Sequence, residues 1–592
     1  MLSSLRGNMS RIPTFREAMA LLAGRPLRWV PQLIALLFVI WYFAVIRGIN
    51  SEQYIYSYGT DLPPPIGHPH RPPLYRPPTA TADDWKLRAH QVRDAFIHSY
   101  KGYREHAFPA DELKPMTGKG RNNFNGAWSI TMYDALSTMF VMGLRDYFDD
   151  AVQKIADADY MTTKPQQYVP FFETVIRHLG GLLSAYALSE EPILLKQADK
   201  LGTALLPAFN TESGFPMYAL NTLTNATHGS WTGHTLWAEA LSNQLEYKYL
   251  AHLTGKAEYF EKSVVCSSCT NQTLLTVCFL PNGIPKTGAP SNTQFSVGAF
   301  ADSGHEYLLK QWLMTSRSEP KIRDLYLQAS KSIIETLLYV TPDREILYVT
   351  DVDLRRTQSR AKGKDIVEDT ESVVTAHPSG SFEHLSCFLP GLLTLGVQTL
   401  DLSPSDKELH SWAAEGLAYS CWLSYADQLT GLGPDIMSMK LFPNSSEGLW
   451  LPKVEQWKKD GRQGQSRRDY TNYKKTYLLR PEAIESFYLM WRTTGDPVWR
   501  ERGWTVFKAI QKFTRTPVGY AIVMDVDNSA KSAPVKDEMP SYFLAETLKY
   551  LFLLFTDEDI LPLDKWVFNT EAHPLPIFEW TDAEKKLYNI TS

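Results

Sequence analysis

The sequence predicts an all-α body of packed helical hairpins with short β-hairpins at its rim, preceded by a single N-terminal membrane helix. Three observations predict it. From Trp85 onward apolar residues recur at helical spacing in about a dozen long stretches, with no βαβ rhythm to support a parallel sheet. Leu253-Thr254-Gly255-Lys256 precedes Tyr259 much as Thr494-Gly495-Asp496 precedes Trp499: a glycine closes one helix and an aromatic opens the next. Ahead of the body, Trp29 to Ile46 is an uncharged run of 18 residues, broken only by Pro31 and Gln32 near its start.

That run reads as a signal anchor over 29–47. Arg6, Arg11, Arg16, Arg25 and Arg28 precede it against the single Glu17, so residues 1–28 form a cytosolic tail and the protein is single-pass type II. A cleaved signal peptide is the alternative; the run exceeds the usual signal core and lacks a clear small-residue cleavage site. Residues 48–84 then carry Pro63-Pro64-Pro65, Pro69, Pro72-Pro73 and Pro77-Pro78, a semi-extended luminal stem. The body occupies 85–592.

The 592 residues bear a net charge of −5 without a long basic run, which excludes nucleic acid as the main partner. Five cysteines exclude a disulfide scaffold. In a lumen Cys387 and Cys421 can pair, as can two of Cys266, Cys269 and Cys278, and the sequons at Asn225, Asn271, Asn444 and Asn589 can carry glycans. The 12% aromatic share, with 16 Trp and 30 Tyr, suits either a large core or sugar stacking.

The expected helices are Trp85–Tyr103, Ser129–Ala156, Phe171–Leu188, Pro192–Ala208, His234–Leu253, Ala299–Thr315, Lys321–Tyr339, Phe382–Leu400, Pro404–Leu429, Arg480–Thr493, Val498–Thr514 and Tyr542–Phe555. Glu345–Val352 and Gly519–Asp525 alternate like rim hairpins. Stacked hairpins make an open solenoid or a closed toroid; the lack of clear repeats and polar caps favours closure.

Acidic residues stand inside the most apolar of these stretches. Glu173 and Arg177 lie one turn apart ahead of Gly180-Gly181, Asp302 and Glu306 repeat that spacing, Glu482 and Glu485 follow Pro481, Glu546 sits in SYFLAETLKYLFLLF, and Thr570-Glu571 lie near the C-terminus. A helix-start carboxylate often only complements the helix dipole. If alternate helices start at one rim, however, these side chains converge on one acidic cavity. With no Cys/His metal set, phosphate loop or G-x-S-x-G elbow, such a cavity suits glycoside hydrolysis by an acid/base pair or a hard cation such as Ca²⁺ held by oxygens.

At these segments the sequence resembles glycoside hydrolase family 47, the class I α-1,2-mannosidases of the secretory pathway. The resemblance runs in order through MYDALSTMFVMGL, FETVIRHLGGLLSAY, ADSGHEYLLKQW, HLSCFLPGLLTLG, LLRPEAIESFYLMWR, FLAETLKYLFLLF and FNTEAHPLPI, covering most of Trp85 to Ile577. It implies an (αα)7 barrel, a Ca²⁺ cofactor and inverting removal of terminal α-1,2-linked mannose from high-mannose N-glycans. It further implies an ER or Golgi membrane location, with a monomeric catalytic domain in the lumen.

Residue by residue, the resemblance makes Glu173 the general acid, Asp302 a second catalytic carboxylate and Glu482 the base that activates water. Thr570 resembles the residue that gives Ca²⁺ its carbonyl and hydroxyl oxygens, while Glu485, Glu546 and Glu571 resemble holders of metal-bound waters. Arg177, Glu239, His384, Tyr542 and Glu546 are expected to line the sugar site, and Cys387–Cys421 matches the family disulfide. Direct pairing of Arg177 with Glu173 would oppose an acid role, so Arg177 is expected against sugar hydroxyls or Asp302.

The chain departs from the family pattern at Ser137, Ala301, Gly304, Asp435 and Tyr542. Ser137, Gly304 and Asp435 keep open a glycan-binding protein without turnover; within the family, the alternative is an ER degradation-enhancing mannosidase-like protein marking misfolded glycoproteins.

Overall fold

The computed structural model describes residues 80–123, 128–162, 164–230, 236–264, 294–358, 372–460, 468–530 and 533–590. All lie in one compact unit, Leu62–Ser592. The expected tail, anchor and nearly all of the stem, together with Cys266, Cys269, Cys278 and Asn271, lie outside the described residues. Among the described residues no helix is long and apolar enough to cross a membrane.

Helices that are apolar on nearly every side form an inner ring. They are Ile130–Val141, the run 171–189, Gln244–Thr254, Asp302–Met314, Leu389–Thr399, Glu482–Thr494 and the run 543–555. Each packs on the next, and the last returns to Ile130–Val141, closing a ring of seven among the described residues. Burial on all sides explains their lack of a polar face. An outer helix with one buried stripe backs each: Ala82–His106, Arg145–Ala156, Pro192–Leu205, Ala257–Val264, Pro320–Thr336, Pro404–Ala426 and Val498–Phe513. Each of the first six inner helices passes into an outer helix through a short turn, and a longer segment leads back to the next inner helix, so the inner ones all run the same way and their N-termini share one end of the barrel. The chain closes as a toroid, and a solenoid is excluded by the contact between its first and last inner helices.

Tryptophan–arginine stacking ties the first helix to the closing ones. The Arg500 guanidinium lies 4.0 Å from the Trp85 ring and 4.4 Å from that of Trp491, while Arg88 lies 4.3 Å from Trp85.

Several expected boundaries shift. Ser129–Ala156 is two helices, Ile130–Val141 and Arg145–Ala156, because Gly143 turns the chain at φ 67°. His234–Leu253 likewise contains Trp237–Leu241 and Gln244–Thr254. The helix Trp450–Asp460 lies between the expected ones. Rim hairpins do occur at the expected stretches: Leu347–Val349 pairs with Leu338–Val340, and Ile522–Val523 with Val535–Lys536. A further hairpin, Trp566–Phe568 with Pro574–Pro576, has a buried tip. Its loop, 569–573, carries Thr570 and Glu571.

Candidate active site

The common direction of the inner helices brings their acidic N-terminal residues together. Glu482 begins its helix after Pro481, and Glu485 follows within the first turn. Asp302 begins Asp302–Met314, and Glu173 ends the first turn of its helix. Arg177 and Glu546 lie in two π-helical segments, Thr174–Leu179 and Phe543–Thr547. A π turn inserts one residue and so re-aims side chains, a feature frequent at functional sites. Apolar periodicity carries no sign of either.

Arg177 stands at the centre of an ionic cluster. Its Nε donates to Glu173 Oε2 at 2.7 Å, and its Nη1 meets Glu571 and lies 3.3 Å from Asp134 Oδ2. Arg177, expected against sugar hydroxyls or Asp302, instead pairs directly with Glu173: the i, i+4 spacing on one helix puts guanidinium and carboxylate in direct reach. Asp134, absent from the expected site, accepts from Ser541 Oγ and lies 3.4 Å from His573 Nε2. Burial acts to raise its pKa, but His573, Arg177 and Ser541 outweigh burial and hold it below the usual value.

Glu482 and Asp302 are both partly buried, yet their pKa values move in opposite directions. Glu482 Oε2 accepts from His384 Nδ1 at 2.8 Å, and Arg480 Nη1 lies 3.7 Å from its other oxygen. Burial disfavours its charge, yet His384 and Arg480 more than compensate and keep its pKa low. Asp302 has a backbone donor, Ser303 N at 2.7 Å, but no cation beside it among the described residues. Burial, reinforced by Glu306, Glu482 and Glu383, pushes it up to about 7.

His384, expected at the sugar, is placed behind Glu482. Both ring nitrogens are engaged, Nε2 with the Tyr425 hydroxyl at 2.6 Å. The Tyr542 hydroxyl is likewise committed to Leu478 O at 2.7 Å, with its ring 5.9 Å from Arg177 and 6.0 Å from Arg480. Glu239 accepts from Leu236 N at 3.2 Å; burial, with Glu173 adding to it, pushes it up to about 7.

Glu485, Glu546 and Glu571 gather around the buried hairpin tip. Lys310 Nζ bonds Glu306 and lies 3.7 Å from Glu485, which burial pushes up to about 8. Glu546 is buried without a hydrogen bond among the described residues; burial first, then Glu571, Glu482 and Glu485, drive its pKa well up. Thr570 N lies 3.5 Å from the Tyr307 hydroxyl, while its own hydroxyl and carbonyl oxygens have no hydrogen-bond partner among the described residues. There, no three His, Cys, Asp or Glu side chains are close enough to hold a metal between them.

The departures have their own accommodation. Ser137 Oγ lies 3.0 Å from His573 Nδ1, buried in the barrel wall. Asp435, though a short side chain, still meets Arg480 Nε at 3.2 Å. Cys387 and Cys421 form a disulfide, beside the strand and turn that carry His384.

A helical barrel whose inner N-termini gather carboxyls pushed in opposite directions, Glu482 down and Asp302 up to about 7, offers the acid/base contrast that glycoside hydrolysis needs. The profile of Glycosyl hydrolase family 47 matches residues 95–577, and the chain belongs to that family. It is 34% identical over 559 residues to the endoplasmic reticulum mannosyl-oligosaccharide 1,2-alpha-mannosidase of Homo sapiens, covering 92% of this chain and 71% of that protein. Identity to the Arabidopsis thaliana mannosyl-oligosaccharide 1,2-alpha-mannosidase MNS1 is 33%, covering 84% of this chain and 80% of that one. The solved alpha-1,2-mannosidase from Trichoderma reesei superposes with a TM-score of 0.68 at 26% identity, covering 83% of this chain and 99% of that structure.

Proposed function

We propose that the protein is an inverting, Ca²⁺-dependent α-1,2-mannosidase that trims terminal α-1,2-linked mannose from high-mannose N-glycans. The single observation that carries the catalytic reading is the contrast between Glu482, kept ionised by His384 and Arg480, and Asp302, which burial pushes up to about 7. An inverting glycosidase needs such a pair, a base to activate water and an acid to protonate the leaving oxygen, with roughly 6.5–9.5 Å between them.

Glu482 takes the proton from the attacking water, and His384 fixes the direction of its carboxylate. Asp302 is the carboxyl poised to hold a proton at neutral pH. Glu173, expected as the general acid, is ion-paired with Arg177 at 2.7 Å, and this reading gives the proton to Asp302 instead.

The residues at the hairpin tip fit Ca²⁺. Thr570 offers two unpaired oxygens, and the buried Glu485, Glu546 and Glu571 bring hard carboxylate oxygens near it, with Arg177 on Glu571 and Lys310 3.7 Å from Glu485. Thr570 would hold the ion directly and the three carboxylates its waters. When bound, Ca²⁺ supplies a Lewis-acidic anchor for substrate hydroxyls.

Residues 1–28, 29–47 and 48–84 serve as cytosolic tail, anchor and stem, with a monomeric catalytic domain in the ER or Golgi lumen. The human relative's name, an endoplasmic reticulum enzyme, supports a secretory location. Asn225, Asn444 and Asn589 are exposed and available for glycosylation there.

The test incubates the full chain with a high-mannose glycan, with and without chelator. Chelator-sensitive release of mannose, first seen as the β-anomer by NMR and absent in Glu482→Gln, supports the proposal. Glycan binding without release by folded protein overturns it.

A further inference from the structure

We propose that Asn569 is the positioning residue that aims the Thr570 oxygens, and that it acts through Glu246; this rests on the Ca²⁺ reading above. Asn569 has four hydrogen-bonding positions on its side chain, and all are used. Its Oδ1 accepts from the backbone N–H groups of Glu571 at 2.9 Å and His573 at 2.8 Å, folding the loop around itself. Its Nδ2 donates to Ile176 O at 2.9 Å and to Glu246 Oε1 at 2.7 Å, tying the loop to two inner helices.

The anchor is rigid on both sides. Glu246 is fully buried and the same Oε1 accepts from the Tyr307 hydroxyl at 2.7 Å, whose oxygen lies beside Thr570 N. One carboxylate oxygen thus joins Gln244–Thr254, Asp302–Met314 and the hairpin tip. At Gly180 a Cβ would lie 2.6 Å from Asn569 Nδ2, so the helix approaches the amide as closely as its backbone permits. Ala572, at φ 54°, keeps the loop in the left-handed region that the Asn569 bonds impose. Because Asn569 also holds the Glu571 backbone, its effect on the reaction is through the placing of Thr570 and Glu571. Outer partners that orient metal ligands typically set about 10–100-fold in affinity.

The test measures Ca²⁺ binding by calorimetry on the full chain, and melting temperature in chelator and in saturating Ca²⁺. In Asn569→Asp an oxygen replaces the donor nitrogen and faces Glu246, so the Kd for Ca²⁺ should rise by about 10–100-fold. Glu246→Gln alone keeps the acceptor oxygen for Asn569 and should weaken binding less than Asn569→Asp does. Combined with Asn569→Asp, it supplies the donor that the pair then lacks and should recover much of the lost affinity. A folded Asn569→Asp variant with unchanged Kd, or one whose two melting temperatures fall equally without change in Kd, overturns the proposal. If Asn569→Asp does not fold, Glu246→Leu decides by the same Kd, with weaker binding expected and unchanged binding fatal. An unaltered protein that shows no Ca²⁺ binding refutes the underlying reading instead.

Discussion

Nδ1 of His384 lies 2.8 Å from Oε2 of Glu482, with the opposite ring nitrogen held by the Tyr425 hydroxyl. The relationship makes the histidine a support for the base, and it fixes which of several buried carboxylates stays ionised. Glu482→Gln should lower kcat by about 10²–10⁴-fold, the usual contribution of a general base. His384→Phe should leave Glu482 with Arg480 as its nearest cation. Its low pKa then rises, so the acidic limb of kcat/KM moves to higher pH. A pH–rate profile in saturating Ca²⁺ checks this; an unmoved limb denies His384 its role.

Asp302 and Glu173 can be told apart by a substrate that needs no acid. Fluoride leaves without protonation, so a variant missing only the acid should regain rate on α-mannosyl fluoride. Asp302→Asn is the variant expected to be rescued, because Glu173 is ion-paired with Arg177 at 2.7 Å. The same substitution should remove the alkaline limb, which for the unaltered protein falls as Asp302 loses its proton near the value of about 7 that burial gives it. Rescue of Glu173→Gln alone would instead assign the proton to Glu173.

Ca²⁺ should stabilise the fold as well as support turnover, since it relieves the mutual repulsion of Glu485, Glu546 and Glu571. At about 100 times its Kd it should add about 2.7 kcal/mol, by mass action on the folded state. Differential scanning calorimetry with and without chelator measures the gain. Thr570→Val, which removes the hydroxyl oxygen, should shrink that gain and raise the Ca²⁺ Kd while leaving the melting temperature in chelator nearly unchanged.

Gly181 supports the same barrel from the packing side. A Cβ there would stand 2.6 Å from the Tyr133 carbonyl oxygen, on the neighbouring inner helix. Gly181→Ala should therefore cost about 1–3 kcal/mol through forced separation of the two helices. Urea unfolding gives the figure; an unchanged midpoint would mean that the helices shift without strain.

Much of the body was legible in one dimension. Long apolar stretches located the inner helices, which lack a polar face, and the carboxylates stood out because an acid in such a stretch is costly unless it has a use. Gly255 and Gly495, both at φ 70°, end helices where their sequence positions indicate. Less was legible where the chain turns without losing apolar character, as at Gly143, or where a π turn adds a residue. Glu306 and Arg480 stood in quoted motifs, and their acidic and basic characters were the available signals for the roles found here. Asn569 and Glu246 offered none, since an asparagine before a threonine has many uses.

By itself, then, the sequence determined that this is a helical glycosidase of one family with a set of buried acids, since apolar period and residue chemistry are local properties. Only the tertiary structure decided how those acids differ. Arg177 bonds Glu173, His384 bonds Glu482, and Asp302 has no cation beside it among the described residues. The reason is that a carboxyl's charge state depends on which donors reach it and how much water it loses, and across the ring both are set by packing of helices far apart in the chain.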